Sequence, residues 1–252
     1  MSLTCCSPTI NMAKAIATAA IAEPSVKHMV ITSTFAAVVN PKDMPNPGYK
    51  YTGKDWNSAT YEMAKAIPNP NFVYCAAKVL AERAIWDAPG RKFRVTSICP
   101  PMVYGPPSQD VKAIPALNTS SKAIWNLING KSSDPVPKSG IVSGVDVRDV
   151  GYLHVRAVET SGSATEDRRL LAIGFHRFHQ QHVASLLKSF AGHPDKVARI
   201  KNGGAEGDPI YPHYDVDTTE AEAILGRPWI DADTCIRDTA TRLWEIEAAT
   251  KM

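Results

Sequence analysis

Tyr74 and Lys78 stand four residues apart in the segment Tyr74-Cys75-Ala76-Ala77-Lys78. On a helix that spacing puts a phenol and an ammonium on one face. A phenol titrates near ~10 in water, and a neighbouring cation favours its ionised form. Such a phenol can hand a proton to a carbonyl oxygen while a hydride arrives at the carbon. Lysine can also donate hydrogen bonds to sugar hydroxyls. The pair alone is a weak signal, because short patterns arise by chance. Two other segments sharpen it. Ile31-Thr32-Ser33-Thr34-Phe35 carries three hydroxyls at the end of an apolar run, and Ile98-Cys99-Pro100-Pro101-Met102-Val103-Tyr104 closes a second run. In open α/β sheets ligands gather outside the carboxyl ends of strands. Two strand ends and one helix face can therefore converge on one reacting carbonyl.

The elements that must position these residues follow from pattern. Ser7-Pro8 is a helix start, and apolar residues at helical spacing run from Ile10 to Ile21, with Pro24 disfavouring helix at Glu23. Met29-Val30-Ile31 is a continuous apolar run, the signature of a strand buried on both faces in a parallel sheet. Residues 40–71 are rich in Pro, Asn, Gly and Lys, with a short helical piece near Ser58 to Ala66. Helix is expected from Val73 to Trp86 and strand from Phe93 to Ile98, bounded by Pro100-Pro101. Further helices are expected over Ser120 to Ile128, Asp149 to Glu159, Gln180 to Phe190, Thr218 to Leu225 and Thr234 to Ala248. Gly226 suits the C-cap of the fourth of these. Short strands are expected at Val145 to Val147 and Leu170 to Ile173. Alternating strands and helices indicate an α/β fold with a parallel sheet.

Composition excludes several classes. The chain has 252 residues, 44 % hydrophobic, with a formal charge of +3 and no Lys/Arg block, so nucleic acid is not an implied partner. No apolar run approaches the ~18 residues of a membrane span, and no basic residue precedes the alanine-rich stretch after Met12, so a signal peptide is not expected. Cys5, Cys6, Cys75, Cys99 and Cys235 are odd in number and irregular in spacing, with no CxxC pair. They read as reduced thiols of an intracellular protein. Cys75 is expected to be packed rather than nucleophilic, and Cys5-Cys6 to be exposed. His176, His179 and His182 recur every third residue. On a helix the outer two diverge by about 120°, so surface or cap roles are expected and no metal site is assigned.

Together the three segments resemble the extended short-chain dehydrogenase/reductases, an NAD-dependent epimerase/dehydratase superfamily. They are most similar to the branch of dihydroflavonol reductases, cinnamoyl-CoA reductases and fungal aldehyde or ketone reductases. Tyr51-Thr52-Gly53-Lys54-Asp55-Trp56-Asn57, Thr60-Tyr61-Glu62, Val145-Asp146-Val147-Arg148-Asp149-Val150 and Thr218 to Gly226 are similar to further segments of that branch. The resemblance implies a Rossmann-type doubly wound parallel sheet, present in part, with a smaller C-terminal substrate-binding part. It implies a division at residues 1–105, holding the catalytic residues, and 106–252, mainly substrate-binding. Tyr74 is the implied proton donor, and Lys78 the implied activator and ribose ligand. Thr34 occupies the position of the catalytic serine and orients the carbonyl; Ser33 is the second choice. Tyr74, Lys78, Pro100, Val103 and Ser33 are the implied contacts of NADP or NAD, and Tyr104 with Thr34 those of a small-molecule carbonyl substrate.

A family member begins with a strand and a glycine-rich turn that receives pyrophosphate at a helix N-terminus. Before Tyr74 this chain has only Gly48 and Gly53. At ~30 residues per βαβ unit, roughly 80 to 110 residues of the family pattern are missing. Three readings stay open: a carbonyl reductase, for which the family branch implies a secondary-metabolite or small aldehyde or ketone substrate; a catalytically silent truncated relative or interaction module without its dinucleotide half; or a gene whose true start lies upstream. The strand at Met29 is also expected to expose one sheet edge, through which chains can self-associate.

Overall fold

In this computed structural model, residues 6–40, 46–109, 111, 113–137, 142–160, 166–190, 192, 194–202 and 214–250 are described. They form α1 (Cys6–Ala22), β1 (His28–Thr32), β2 (Lys50–Tyr51), α2 (Tyr61–Ala66), α3 (Pro70–Trp86), β3 (Arg94–Cys99) and β4 (Met102–Tyr104). There follow α4 (Thr119–Ile128), β5 (Ser143–Asp146), α5 (Val147–Glu159), β6 (Arg168–Leu171), β7 (Phe175–His176), α6 (Gln180–Phe190), α7 (Pro194–Arg199), β8 (Asp215–Val216), α8 (Thr219–Leu225) and α9 (Ala232–Thr250). The fold is α/β, and its strands pair in parallel except for β5 and β7, which run antiparallel. The helix expected from Val73 begins three residues earlier. Asn69 caps it, accepting from the backbone N–H of Asn71 at 2.9 Å and of Phe72 at 3.2 Å, and Pro70 fills the first turn. Gly226 closes α8 at φ 70°, a left-handed conformation that glycine adopts without a Cβ clash. The helix expected from Asp149 begins at Val147, directly after β5.

The chain divides into two compact units, one of Met1–Pro100, Tyr152–Ala172 and Pro212–Arg227, the other of Pro101–Gly151, Ile173–Tyr211 and Pro228–Met252. The first unit holds a parallel sheet in the order β1-β3-β6, with Met29 opposite Val95 and Ile98 opposite Leu170. On α1, small Ala13 and Ala17 pack with Ile85 of α3 and with Phe93 and Val95. Cys6 is a correction to the expected exposure: it is fully buried, and its thiol donates to the Val73 carbonyl at 3.7 Å. Cys5 lies outside the described residues. The two-residue strands β2 and β8 pair in parallel and gather Tyr51 and Tyr214 edge-to-face at 5.4 Å.

The second unit has its own sheet, in the order β4-β5-β7. Its core joins Ile124, Leu127 and Ile128 of α4, Val183 and Leu187 of α6, and Ile236, Ala240 and Leu243 of α9. Gly144 on β5 is required by close packing: a Cβ there would stand 2.2 Å from the Phe175 ring.

β1 ends the order of the first sheet, and its far side pairs with no described strand. Met29, Val30 and Ile31 are only half-buried, whereas Val95 and Ile98 of β3 are fully buried. The same unit exposes further apolar side chains: Met12 and Ile16 on α1 are 65 % and 53 % exposed, and Val155 and Val158 on α5 are 53 % and 56 % exposed. Burying one aliphatic side chain is worth roughly 1.5–3 kcal/mol, and an uncharged strand edge is a template for pairing. The isolated chain is therefore expected to associate, its weight-average mass in sedimentation equilibrium rising with concentration. Val30→Lys should suppress the association. A monodisperse parent chain at high concentration would contradict the expectation.

Candidate active site

After β1 the backbone keeps pairing with the segment after β3: the Ser33 N–H donates to the Ile98 carbonyl at 2.8 Å and the Phe35 N–H to the Pro100 carbonyl at 2.8 Å. Residues 33 and 34 are still extended, so their side chains diverge. The Thr34 hydroxyl caps a one-turn 3-10 helix, Phe35–Ala37, by accepting from the Ala36 N–H at 3.2 Å. It also donates to the Pro100 carbonyl at 3.4 Å, a long and weak bond. The Ser33 hydroxyl instead donates to Glu82 Oε2 at 2.6 Å.

α3 buries Val73, Ala76 and Ala77, which pack with Ala37 of the one-turn helix. That burial turns Tyr74 outward, 42 % exposed, with Lys78 half-buried one turn later. Among the described residues, neither the Tyr74 hydroxyl nor the Lys78 ammonium has a hydrogen-bond partner. Both are free to engage a ligand. Cys75, between them, is half-buried, and burial raises its thiol above the ordinary value, away from the reactive thiolate.

Behind this face lies a buried network that sequence reasoning missed. Arg169 on β6 and Glu82 on α3 form an ion pair with both side chains 1 % exposed. The guanidinium grips the carboxylate twice, Nε to Oε1 at 2.8 Å and Nη2 to Oε2 at 3.2 Å. Its remaining N–H groups donate to the carbonyls of Ala37 at 3.1 Å, Gly53 at 3.3 Å and Asp55. Its face lies 3.7 Å from the Trp56 ring, which meets Trp86 edge-on at 5.4 Å. Asn57 fastens the same loop, its amide donating to the Ala36 carbonyl at 2.9 Å. Cys99 shares this interior, and burial pushes its thiol up to about 12. One signal for the network was present. Glu82 continues the four-residue step from Tyr74 and Lys78, and a charge in a buried helix face needs a partner.

The other implied residues fall as follows. Pro100 is buried at the end of the first unit, its carbonyl engaged by Thr34 and Phe35. In the second unit Val103 is half-buried on β4, opposite Val145. Tyr104 is 4 % exposed there, its ring stacked on Phe175 at 6.2 Å. Burial, with a smaller contribution from Cys235, pushes the Tyr104 hydroxyl up to about 12. Asp146 and Arg148, from the family-like segment, form a 2.7 Å ion pair that continues to Asp238 at 2.7 Å. His176 bonds Ser143 at 2.5 Å and His182 stands 3.9 Å from Asp233; no metal-ligating cluster occurs among the described residues.

Gly53 shows how tightly the loop is laid against β6. A Cβ there would stand 2.2 Å from the Arg169 carbonyl oxygen, a backbone atom that cannot swing aside. Gly53→Ala should therefore destabilise the chain by about 1–3 kcal/mol through overpacking, read as a lower denaturation midpoint. An unchanged midpoint would contradict the described approach.

No protein-family profile matches the chain. Individual relatives do. An oxidoreductase of Schizosaccharomyces pombe is 36 % identical over 242 residues, covering 94 % of this chain and 69 % of the relative. The ketoreductase azaE of Aspergillus niger is 31 % identical, covering 88 % of this chain and 64 % of that protein. The chain thus spans about two thirds of the length of these relatives, 69 % and 64 %. Among solved structures, yeast methylglyoxal/isovaleraldehyde reductase Gre2 complexed with NADPH superposes with a TM-score of 0.82 at 26 % identity, covering 96 % of this chain and 71 % of that one. Gre2 of Candida albicans does so with a TM-score of 0.82 at 27 % identity, covering 95 % and 71 %. With its parallel sheet and its Tyr74/Lys78 helix, the chain belongs to the extended short-chain dehydrogenase/reductase family, among the fungal reductases of the epimerase/dehydratase type.

Proposed function

We propose that the chain carries the reacting residues of an NADPH-dependent reductase acting on an aldehyde or ketone of a small molecule. The observation that carries this reading is the phenol and ammonium of Tyr74 and Lys78, one turn apart on one helix and without a hydrogen-bond partner among the described residues. The names of the relatives, methylglyoxal reductase and ketoreductase, support the substrate class, and the NADPH of Gre2 supports the cofactor.

When bound, NADPH supplies the hydride. Tyr74 donates its phenolic proton to the carbonyl oxygen as negative charge develops there, giving the alcohol. The Thr34 hydroxyl gives up its 3.4 Å bond to the Pro100 carbonyl, a small loss, and donates to the same oxygen. Lys78 holds ribose hydroxyls with its ammonium. Pro100 and Val103 are proposed to line the nicotinamide pocket, and Tyr104 to contribute to the substrate side. Ser33 is the weaker candidate for ligand contact, because its hydroxyl is committed to Glu82.

The fit to NADPH is uneven. Tyr74 and Lys78 suit the ribose end. For the pyrophosphate, recognition needs backbone N–H groups at a glycine-rich helix start. Gly48 sits in a turn at φ 78° and Gly53 is pressed on Arg169, so neither opens a helix. A second reading is a silent relative or interaction module.

One series separates the two. NADPH titration is expected to show weak binding by this chain, and NADPH oxidation with a small aldehyde or ketone is expected to be slow but dependent on Tyr74. Tyr74→Phe should abolish it with little change in cofactor affinity, whereas Lys78→Ala should damage both. Thr34→Val should lose turnover while Thr34→Ser keeps it. Turnover retained in Tyr74→Phe would sink the assignment, and absence of both binding and turnover in the parent would favour the silent reading.

A further inference from the structure

We propose that Ser33, Glu82 and Arg169 are positioning residues that set Thr34 against Tyr74 and Lys78. The inference rests on the reading of those three as the reacting set. Thr34 is held from both sides by one network. The residue before it bonds Glu82 through the Ser33 hydroxyl at 2.6 Å. Three residues after it, the Ala37 carbonyl accepts from Arg169 Nη2 at 3.1 Å. Glu82 lies one helical turn beyond Lys78 and two beyond Tyr74 on α3. The same carboxylate therefore ties the strand end that bears one hydroxyl to the helix that bears the phenol and the ammonium.

The geometry leaves the network little freedom. A guanidinium has five N–H groups, and those of Arg169 meet five acceptor contacts: two on Glu82 and the carbonyls of Ala37, Gly53 and Asp55. Trp56 fixes the plane of the guanidinium at 3.7 Å. A planar fork held in this way sets direction as well as distance, which a lysine at the same place cannot do. The reacting groups, by contrast, make few bonds of their own, so their placement is inherited from residues that touch no ligand.

The test uses the full chain with threonine methyls and tyrosine rings isotopically labelled for NMR. In Ser33→Ala the Glu82–Arg169 pair keeps both of its own bonds, and the chain is expected to melt no lower than a Leu187→Ala control. Leu187 is fully buried in the core of the other unit. The Thr34 methyl and Tyr74 ring resonances should nonetheless shift or broaden in Ser33→Ala and stay in place in the control. Ser33→Thr, which keeps a hydroxyl, should move them back toward the parent. Arg169→Lys, which keeps charge but loses the fork, is the second variant and should move the same two signals. Resonances unmoved in Ser33→Ala and Arg169→Lys, or moved equally by the control, would overturn the proposal. In a parent that turns over, Ser33→Ala should lower kcat about 10- to 100-fold with KM little changed, the signature of misplacement rather than lost binding; an unchanged kcat would also overturn it. A parent without turnover speaks against the reductase reading alone, and the resonance test stands without it.

Discussion

The ion pair between Glu82 and Arg169 is the constraint on which the first unit depends. Both side chains are 1 % exposed. Charges taken out of water are costly, and their attraction repays the cost only when the geometry is good and the remaining polar atoms are satisfied. Here they are. The pair joins β6 to α3, and through Ser33 and Ala37 it reaches the end of β1 and the one-turn helix beyond. Through Gly53, Asp55 and Trp56 it draws in the loop after β2. Few apolar contacts can direct so many segments at once, because the hydrophobic effect has no preferred direction.

This arrangement divides the labour between buried and outer polar groups. Behind the sheet's end, the Ser33 hydroxyl, the Glu82 carboxylate, the Arg169 guanidinium and the Asn57 amide are all engaged. On the outer face, the Tyr74 hydroxyl and Lys78 ammonium have no described partner, and the Thr34 hydroxyl, which accepts from the Ala36 N–H, donates only through a 3.4 Å bond. A proton donor must have its hydroxyl available and its position fixed. If Tyr74 is the proton donor as proposed, the fold meets the two demands with different residues.

The residues of the proposed reacting set stand out in the sequence. Tyr74 and Lys78 announce themselves by four-residue spacing, and Thr34 by its place after an apolar run. The long elements were legible for the same reason: a helix such as α3 shows several turns of pattern. The partners of Glu82 were not, since Arg169 lies 87 residues away and only the folded sheet brings them together. Strands of two or three residues, such as β2, β4, β7 and β8, are too short to carry a period. α7, with six residues, suffers likewise. Cys6 was misread because nearness to the start of the chain says nothing about what α1 packs against.

The most direct measurement is a double-mutant cycle on Glu82→Leu and Arg169→Leu, followed by denaturant unfolding of the full chain. Each single substitution leaves a buried charge without its partner and should cost about 3–5 kcal/mol. The double substitution should cost clearly less than the sum of the two, because no uncompensated charge remains. Costs that simply add would contradict the account, showing that the pair does not hold the first unit together.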